Sequence, residues 1–431
     1  MFDVWLTGGI FVFIYALIIA EKGSRAVVSL LGASALVLAK VLELHEVLTH
    51  YIEWNTIILL IGMMLIVHIT NQTGVFQWAA LHIAKLVKGS PKRLFLSLIW
   101  MTAIASALLD NVTTVLLMVP ITFSLTTLLK LNPIPFLISQ IIASNIGGTA
   151  TLVGDPPNIM IGSANPHLSF GQFLIHLGPI SLIIMLVSSA LLLYIYRKEL
   201  ATKPDSVEEL MKMEPGDALK DPILLRKSLW VLGLTLLGFL LHSILHIEAS
   251  TIAMTGAMVL MAIGVPSNKV EKTIGAIEWE TLFFFAGLFA LVGGLEEVGI
   301  LSALATQLIV VTGGDFFWLS TLILWVSGIA SATIDNIPFV ATMIPLLQEA
   351  ANGLGVAVDS AQMNTLWWSL ALGACLGGNG TILGASANLI VVSAANKRGA
   401  NISYWEFLKV GAPITLVSLV LAHAYVILRY F

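Results

Sequence analysis

Apolar residues run through this chain in blocks of about 16–20, enough for a helix to cross a hydrocarbon core of about 30 Å. Polar residues fall mainly between the blocks. The pattern predicts spans near 4–20, 26–44, 55–70, 94–129, 135–165 and 179–196, then near 228–245, 251–266, 279–295, 318–348, 362–395 and 411–429. The blocks at 94–129 and 318–348 have room for two legs each, and those at 135–165 and 362–395 are interrupted. Nothing resembles the short alternating strands of a membrane barrel. The expected fold class is an all-α polytopic membrane protein with about 10 crossings plus two re-entrant hairpins.

The pattern occurs twice. Ser106–Pro120, S-A-L-L-D-N-V-T-T-V-L-L-M-V-P, is echoed 225 positions later by Ser331–Pro345, S-A-T-I-D-N-I-P-F-V-A-T-M-I-P. On the same offset Trp5 meets Trp230, Trp54-Asn-Thr56 meets Trp279-Glu-Thr281, Gly62 meets Gly287 and Gly74 meets Gly299. The chain therefore reads as an N-terminal transmembrane repeat (1–196), a polar linker (197–227) and a C-terminal repeat (228–431).

The linker carries Pro204, Pro215, Pro222 and seven basic residues (Arg197, Lys198, Lys203, Lys212, Lys220, Arg226, Lys227), which places it in the cytoplasm by the positive-inside tendency. Equivalent loops of the halves carry opposite bias. Gln72–Arg93 holds Lys85, Lys88, Lys92 and Arg93, whereas Glu297–Trp318 holds no basic residue. Pro166–Gly178 has none, while Lys397, Arg398 and Lys409 follow Asn396. The halves are thus expected to be inverted, with both termini outside. The first hairpin, bounded by Arg93 and Lys130, should turn at Asp110-Asn111, and its twin at Asp335-Asn336 should come from the other side.

Composition agrees. Of 431 residues 58% are hydrophobic and 11% charged, against roughly 25% charged in a soluble domain. A net charge of −4 selects no partner, and no basic, aromatic-interleaved stripe points to nucleic acid. Met1–Ala20 starts with Asp3 and no basic residue, which fits a first membrane helix better than a cleaved signal peptide. The single cysteine, Cys375, excludes an intrachain disulfide and a multi-cysteine metal centre, and no cofactor or metal site is expected. A nucleotide-binding G-x-x-x-x-G-K-[ST] loop is absent.

The candidate chemistry lies at the two tips and in the glycine-rich breaks after them. Asn145-Ile-Gly-Gly-Thr-Ala-Thr-Leu-Val-Gly-Asp-Pro-Pro-Asn158 is matched by Gly377-Gly-Asn-Gly-Thr-Ile-Leu-Gly-Ala-Ser-Ala-Asn388 at an offset of 230. Gly147, Thr151, Gly154 and Asn158 thereby align with Gly377, Thr381, Gly384 and Asn388. Such glycine and proline density unwinds a helix, and unwound backbone at membrane depth persists only inside protein or beside a wet cavity. The freed carbonyls and the half-helix N-termini could then hold ions.

Asp110 and Asp335 read as proton or Na⁺ sites or as helix N-caps, the two roles being compatible. Asp155 has no twin, Ala385 standing in its place, and reads either as a single coupling carboxylate or as a cap before Pro156-Pro157. Asn111, Asn336, Asn379, Thr113 and Thr114 add neutral hydrogen-bonding groups, as do the aligned Asn and Thr residues, while Gly148 and Gly378 complete the breaks. Small polar residues also join membrane helices. Glu296-Glu297 reads as a helix end, and His68, His242 and His246 as structural or interfacial. Lys40 and Glu43 read as snorkelling near the end of the second helix. Cys375 reads as filler beside the second break. No Lys or Arg lies in the hairpins or breaks to clamp a multivalent anion.

In these motifs the chain resembles the ion-transporter superfamily of the arsenite/antimonite efflux permeases, the NhaD-type Na⁺/H⁺ antiporters and the pink-eyed-dilution (P) protein. The divalent anion/sodium symporters are more distant. The D-N-V-T-T…P hairpin and the N-I-G-G-T-A-T-x-x-G-D-P-P-N break look most like the P-protein branch. The resemblance covers nearly the whole chain and implies a homodimer whose protomers pair a scaffold with a mobile part that moves as an elevator. In the dicarboxylate symporters the tips read Ser-Asn-Thr. Here Asp110-Asn111-Val112 and Asp335-Asn336-Ile337 replace neutral ligands by titratable ones, which favours proton coupling.

The expected function is therefore secondary transport and not enzymatic catalysis: proton-coupled efflux of arsenite or antimonite, in a bacterial or archaeal inner membrane. Na⁺/H⁺ antiport and carboxylate (citrate-like) transport are the alternatives within the class, and an ion channel is the alternative outside it. A soluble ATPase partner is not testable from the sequence.

Overall fold

The computed structural model describes residues 1–20, 23–202, 204 and 207–431. Lys203 of the expected linker lies outside the described residues. Helices dominate, and no strand occurs among the described residues. In the first half they are α1 (Phe2–Ile19), α2 (Arg25–Leu38), α3 (Trp54–Gln72), α4 (Val75–Leu86), α5 (Pro91–Leu108), α6 (Asn111–Leu128), α7 (Ile134–Thr149), α8 (Pro156–Ala164) and α9 (Phe170–Ile195). The second half has α10 (Pro222–Leu245), α11 (Ala249–Gly264), α12 (Trp279–Glu297), α13 (Ile300–Thr312), α14 (Phe316–Thr333), α15 (Asn336–Leu354), α16 (Ala361–Gly377), α17 (Ser386–Asn396) and α18 (Tyr404–Tyr430). Among the described residues, eight helices are long and apolar enough to cross a membrane.

Several boundaries differ from the apolar blocks, for local reasons. α9, α10 and α18 begin earlier than expected because Ser169, Asp221 and Ser403 cap them, accepting hydrogen bonds from the first-turn N–H groups of Gln172, Ile223 and Glu406. The second helix stops at Leu38 instead of running to 44. Lys40 takes a left-handed φ of 58°, and the Val41 N–H turns back onto the Leu36 carbonyl, so Lys40 and Glu43 lie beyond the helix. The segments read as loops after Gln72 and after Glu297 contain α4 and α13. Gly74 and Gly299, at φ 81° and 75°, break the chain out of α3 and α12 and start these helices, a conformation glycine enters without a Cβ penalty.

Two interlocked sets of helices result. In one, α2 of the first half packs along α12 of the second, and α11 along α3. Both contacts are backbone-close: a Cβ on Gly62 would lie 2.6 Å from the Ala253 carbonyl carbon, and one on Gly287 would lie 2.7 Å from the Leu30 nitrogen. Without a hydrophobic drive between helices in lipid, such small-residue contacts and buried hydrogen bonds supply the cohesion. In the other set α5 packs on α7, α14 on α16, and α7 and α16 on each other.

The hairpins α5–α6 and α14–α15 have their bases at opposite ends of α9, a helix of 26 residues or about 39 Å. Phe95, early in α5, meets the Tyr196 ring at the end of α9 (centroids 6.2 Å). Phe317, early in α14, meets Phe431 (5.4 Å), next to which Tyr430 stacks on His176 near the start of α9. The hairpins therefore approach each other tip to tip.

Candidate functional site

Each tip is tied to the break that follows it by the same pair of bonds. Ser106 Oγ donates to the Ser144 carbonyl (2.7 Å) and Ser331 Oγ to the Ala374 carbonyl (2.6 Å). Thr151 Oγ1 donates to the Ala107 carbonyl (2.5 Å) and Thr381 Oγ1 to that of Ala332 (2.6 Å). Close backbone approach makes this register possible. A Cβ on Gly147 would lie 2.1 Å from Ala103 O, and one on Gly377 would lie 2.4 Å from Gly328 O. Inside each break Gly148 faces Gly154, and Gly378 faces Gly384. The freed carbonyls already have partners. Asn158 Nδ2 donates to the carbonyls of Gly148 (3.4 Å), Thr149 (3.1 Å) and Thr151 (2.8 Å), and Asn388 Nδ2 to those of Gly378 (2.7 Å) and Thr381 (2.9 Å). These two asparagines staple the unwound turns, so the carbonyls are less free for an ion than the sequence suggests.

Between the breaks lies a fully buried amide chain centred on Asp155. Asn111 Nδ2 donates to Asn145 Oδ1 (3.0 Å) and to Asp155 Oδ1 (3.2 Å), and Asn336 Nδ2 reaches the same carboxylate oxygen at 3.5 Å. Asn145 Nδ2 donates in turn to Asn379 Oδ1 (3.0 Å) and Asn388 Oδ1 (3.1 Å). Both hairpin tips and both breaks thus converge on one point. Asp155 occupies the N-cap position of α8, yet its side chain caps nothing. Its Oδ2 accepts no N–H or O–H hydrogen bond, the Cys375 thiol lying within reach of the carboxylate, and Asn111 Oδ1, Asn379 Nδ2 and Thr114 Oγ1 have no partner either. Buried polar atoms left unmatched are costly, and three of these, on Asp155, Asn111 and Asn379, belong to one connected side-chain network, which makes that network the candidate site.

Asp110 and Asp335 stand differently. Both cap: Asp110 accepts from the Thr113 N–H (2.7 Å) and hydroxyl (2.5 Å), and Asp335 from the Ile337 N–H (3.1 Å). Asp335 Oδ2 also accepts from Arg25 Nη1 and Ser386 Oγ, each at 2.6 Å. Asp110 lines a cavity of about 830 Å³ between the two helix sets, with Arg25, Glu278, Glu280 and Ser393 also on its wall. A smaller cavity of about 410 Å³ is lined by Asn55, Ser163, Glu248 and Ser250. These are repeat mates of residues on the larger one: Ser250 answers to Arg25 and Asn55 to Glu280 at an offset of 225, and Ser163 to Ser393 at 230.

The sequence matches the family described as citrate transporter over residues 15–373. The chain belongs to the citrate transporter family. An uncharacterised transporter of Mycobacterium bovis is 42% identical over 425 residues, 98% of this chain and 97% of that one. The P protein of Mus musculus is 33% identical over 496 residues, covering 97% of this chain but 59% of that longer protein. Among solved structures, the YdaH transporter of Alcanivorax borkumensis, described as having an unusual topology, aligns with a TM-score of 0.52 at 16% identity over 86% of this chain and 83% of its own. That similarity supports the fold. This member of the citrate transporter family is an integral membrane transporter and not an enzyme.

Of the residues singled out from the sequence, Asn111, Asn145, Asp155, Asn336, Asn379 and Asn388 meet in one cluster, while Thr113, Thr151, Thr381 and Asn158 are spent on caps and staples. Cys375 donates from Sγ to Asn158 Oδ1 (3.4 Å). Arg25, Ser386 and Glu278 escaped the sequence reading. For Arg25 a signal existed: a cation as the first residue of a short apolar helix opposes the helix dipole and calls for an anionic partner.

Proposed function

We propose that this member of the citrate transporter family is a cation-coupled secondary transporter in which Asp155 takes up and releases the coupling cation, H⁺ or Na⁺. The observation that carries the reading is Asp155 Oδ2, accepting no N–H or O–H hydrogen bond and fully buried where both tips and both breaks converge. Asp110 and Asp335, first candidates for coupling by sequence, have capping bonds that favour a role in setting the tips. The opposed hairpins support an inverted pair of halves about the 197–227 linker, which the charge bias puts in the cytoplasm, with both termini outside. Elevator motion in a homodimer follows from the resemblance and belongs to the same proposal.

For the cargo, the family's description favours a small carboxylate over arsenite or antimonite. In a cavity lined by Asp110, Glu278 and Glu280, whose one guanidinium, Arg25, is paired with Asp335, a polycarboxylate would enter with its charge compensated by protons or a metal cation. Neutral arsenite needs no compensation and remains the second reading.

The test uses proteoliposomes carrying a pH-sensitive dye, with Na⁺, citrate (with and without a divalent cation) and arsenite added in turn. Coupled proton or Na⁺ movement that disappears in Asp155→Asn supports the proposal. Coupled movement that persists in this variant refutes it.

A further inference from the structure

The repeat is broken where α1 and α2, read as part of the scaffold, hold a hairpin tip. At the second tip, Arg25 of α2 donates to Asp335 (2.6 Å) and to Ser386 Oγ (3.1 Å), and Ser386 Oγ donates to the same carboxylate oxygen. Tyr15 of α1 adds a grip one turn further on. Its hydroxyl donates to the Pro338 carbonyl (2.8 Å) and pairs with Thr342 Oγ1 (3.1 Å). The mates of these residues at an offset of 225 are Ser250 and Leu240. Neither can do the same work: Ser250 Oγ donates to Asn55 Oδ1 (3.0 Å) and carries no charge, and Leu240 has no hydroxyl. Asp110, the mate of Asp335, is held by its own Thr113 and faces the 830 Å³ cavity.

We propose that Arg25 is a positioning residue that latches the second hairpin tip to the scaffold in one conformation only, and so sets which side of the transporter rests open. The two cavities are repeat mates, so exchanging their sizes describes the opposite-facing state. Reaching that state separates α15 and α17 from α1 and α2 and breaks the Arg25–Asp335 pair. At the other tip Ser250 offers no replacement cation, so the opposite state lacks an equivalent latch. A two-state equilibrium is shifted by whatever contact exists in one state alone, and a charge pair with 3% exposure on its acid is such a contact. The inference rests on the protein being a transporter that alternates between two faces. It does not depend on Asp155 or on the identity of the cargo.

The experiment reads accessibility from each side in oriented vesicles without cargo, so its failure is distinguishable from failure of the coupling proposal. Ser393→Cys reports on the larger cavity and Ser163→Cys on the smaller. Cys375 is fully buried, and the parent protein serves as the blank for a membrane-impermeant maleimide. In the parent, Ser393→Cys should label faster. Adding Arg25→Gln should shift the ratio of the two labelling rates towards Ser163→Cys by about tenfold. Asp335→Asn, which removes the other half of the pair, should shift it likewise. Arg25→Lys, which retains the cation, should return the ratio towards the parent value, a rescue that a purely structural arginine would not show. If one variant fails to fold, the other gives the reading. An unchanged ratio in either folded variant overturns the proposal.

Discussion

Replacing Asp155 by Asn removes one charge and almost no volume. The amide can keep its Oδ1 facing the Asn111 and Asn336 Nδ2 groups and put its NH₂ where Oδ2 now accepts no N–H or O–H hydrogen bond. Both bonds to Oδ1 are long, so exchanging a charged acceptor for a neutral one costs about 1 kcal/mol apiece or less. Relief from burying an ionised carboxylate works in the opposite direction. The folded protein should therefore survive, with a melting temperature in detergent within a few degrees of the parent.

Cation binding should not survive. Opposite unit charges about 4 Å apart attract by about 4 kcal/mol at the effective dielectric found in proteins, which is roughly three orders of magnitude in affinity. The assay is cation-driven flux into proteoliposomes, titrated over that concentration range alongside thermal unfolding. A folded Asp155→Asn protein that couples at the parent cation concentration would refute the argument. Asp155→Ala separates charge from geometry, because it strips the Asn336 amide of its acceptor and should cost about 1–3 kcal/mol of stability as well as coupling.

Gly147→Ala and Gly377→Ala place a methyl group 2.1 Å and 2.4 Å from a backbone oxygen of the neighbouring hairpin leg, so each should cost about 1–3 kcal/mol and lower the yield of folded protein on size exclusion. Thr151→Val and Thr381→Val retain shape but lose the bonds to Ala107 and Ala332. Each should destabilise by about 1–3 kcal/mol in thermal unfolding, with the two losses adding in the double variant. Glu278 stands just before α12, where burial, and next the charge of Asp110, push its carboxyl up to about 7. A raised carboxyl binds its proton more tightly in the folded state, so its contribution to stability is present below the unfolded value of 4.5 and is lost as pH rises through about 7. Parent protein should therefore lose melting temperature between about pH 5 and 8 relative to Glu278→Gln, and parallel curves would contradict this assignment.

The hairpins were the most legible feature of the sequence. An Asp-Asn pair in the middle of an apolar block has to be a turn or a site, and its recurrence at a fixed offset gives the ends of α5, α6, α14 and α15 that meet at the tips, whereas α5 begins three residues before and α15 ends six residues beyond the expected blocks. The breaks were readable for the same reason, since nothing in an uninterrupted helix calls for Gly147-Gly148 and Pro156-Pro157. What the breaks do with their hydrogen bonds was not readable. Whether Asn158 and Asn388 face an ion or fold back onto their own carbonyls depends on one rotamer, which composition does not record. Helices α4 and α13 were missed because they are shorter than a membrane span and lie between charged or turn-forming residues. Arg25 was missed because its partner is 310 residues away. A sequence pattern reports period and register, and a lone long-range pair has neither.

The crossed packing of α2 on α12 and of α11 on α3 also has a consequence for biogenesis. When the first half leaves the ribosome, α2 and α3 are already in the bilayer, yet the helices they clasp have still to be synthesised. Gly62 then has no Ala253 backbone to lie against, and Ser29 and Leu30 have no Gly287 beside them. Closing such a long loop adds little entropic cost, so the late partner can still dock. The intermediate, however, is a half-assembled bundle in which Asn145 has yet to meet Asn379 and Asn388, and Asp155 has yet to meet Asn336. The first half therefore cannot complete its packing until α11 and α12 have been inserted beside α3 and α2.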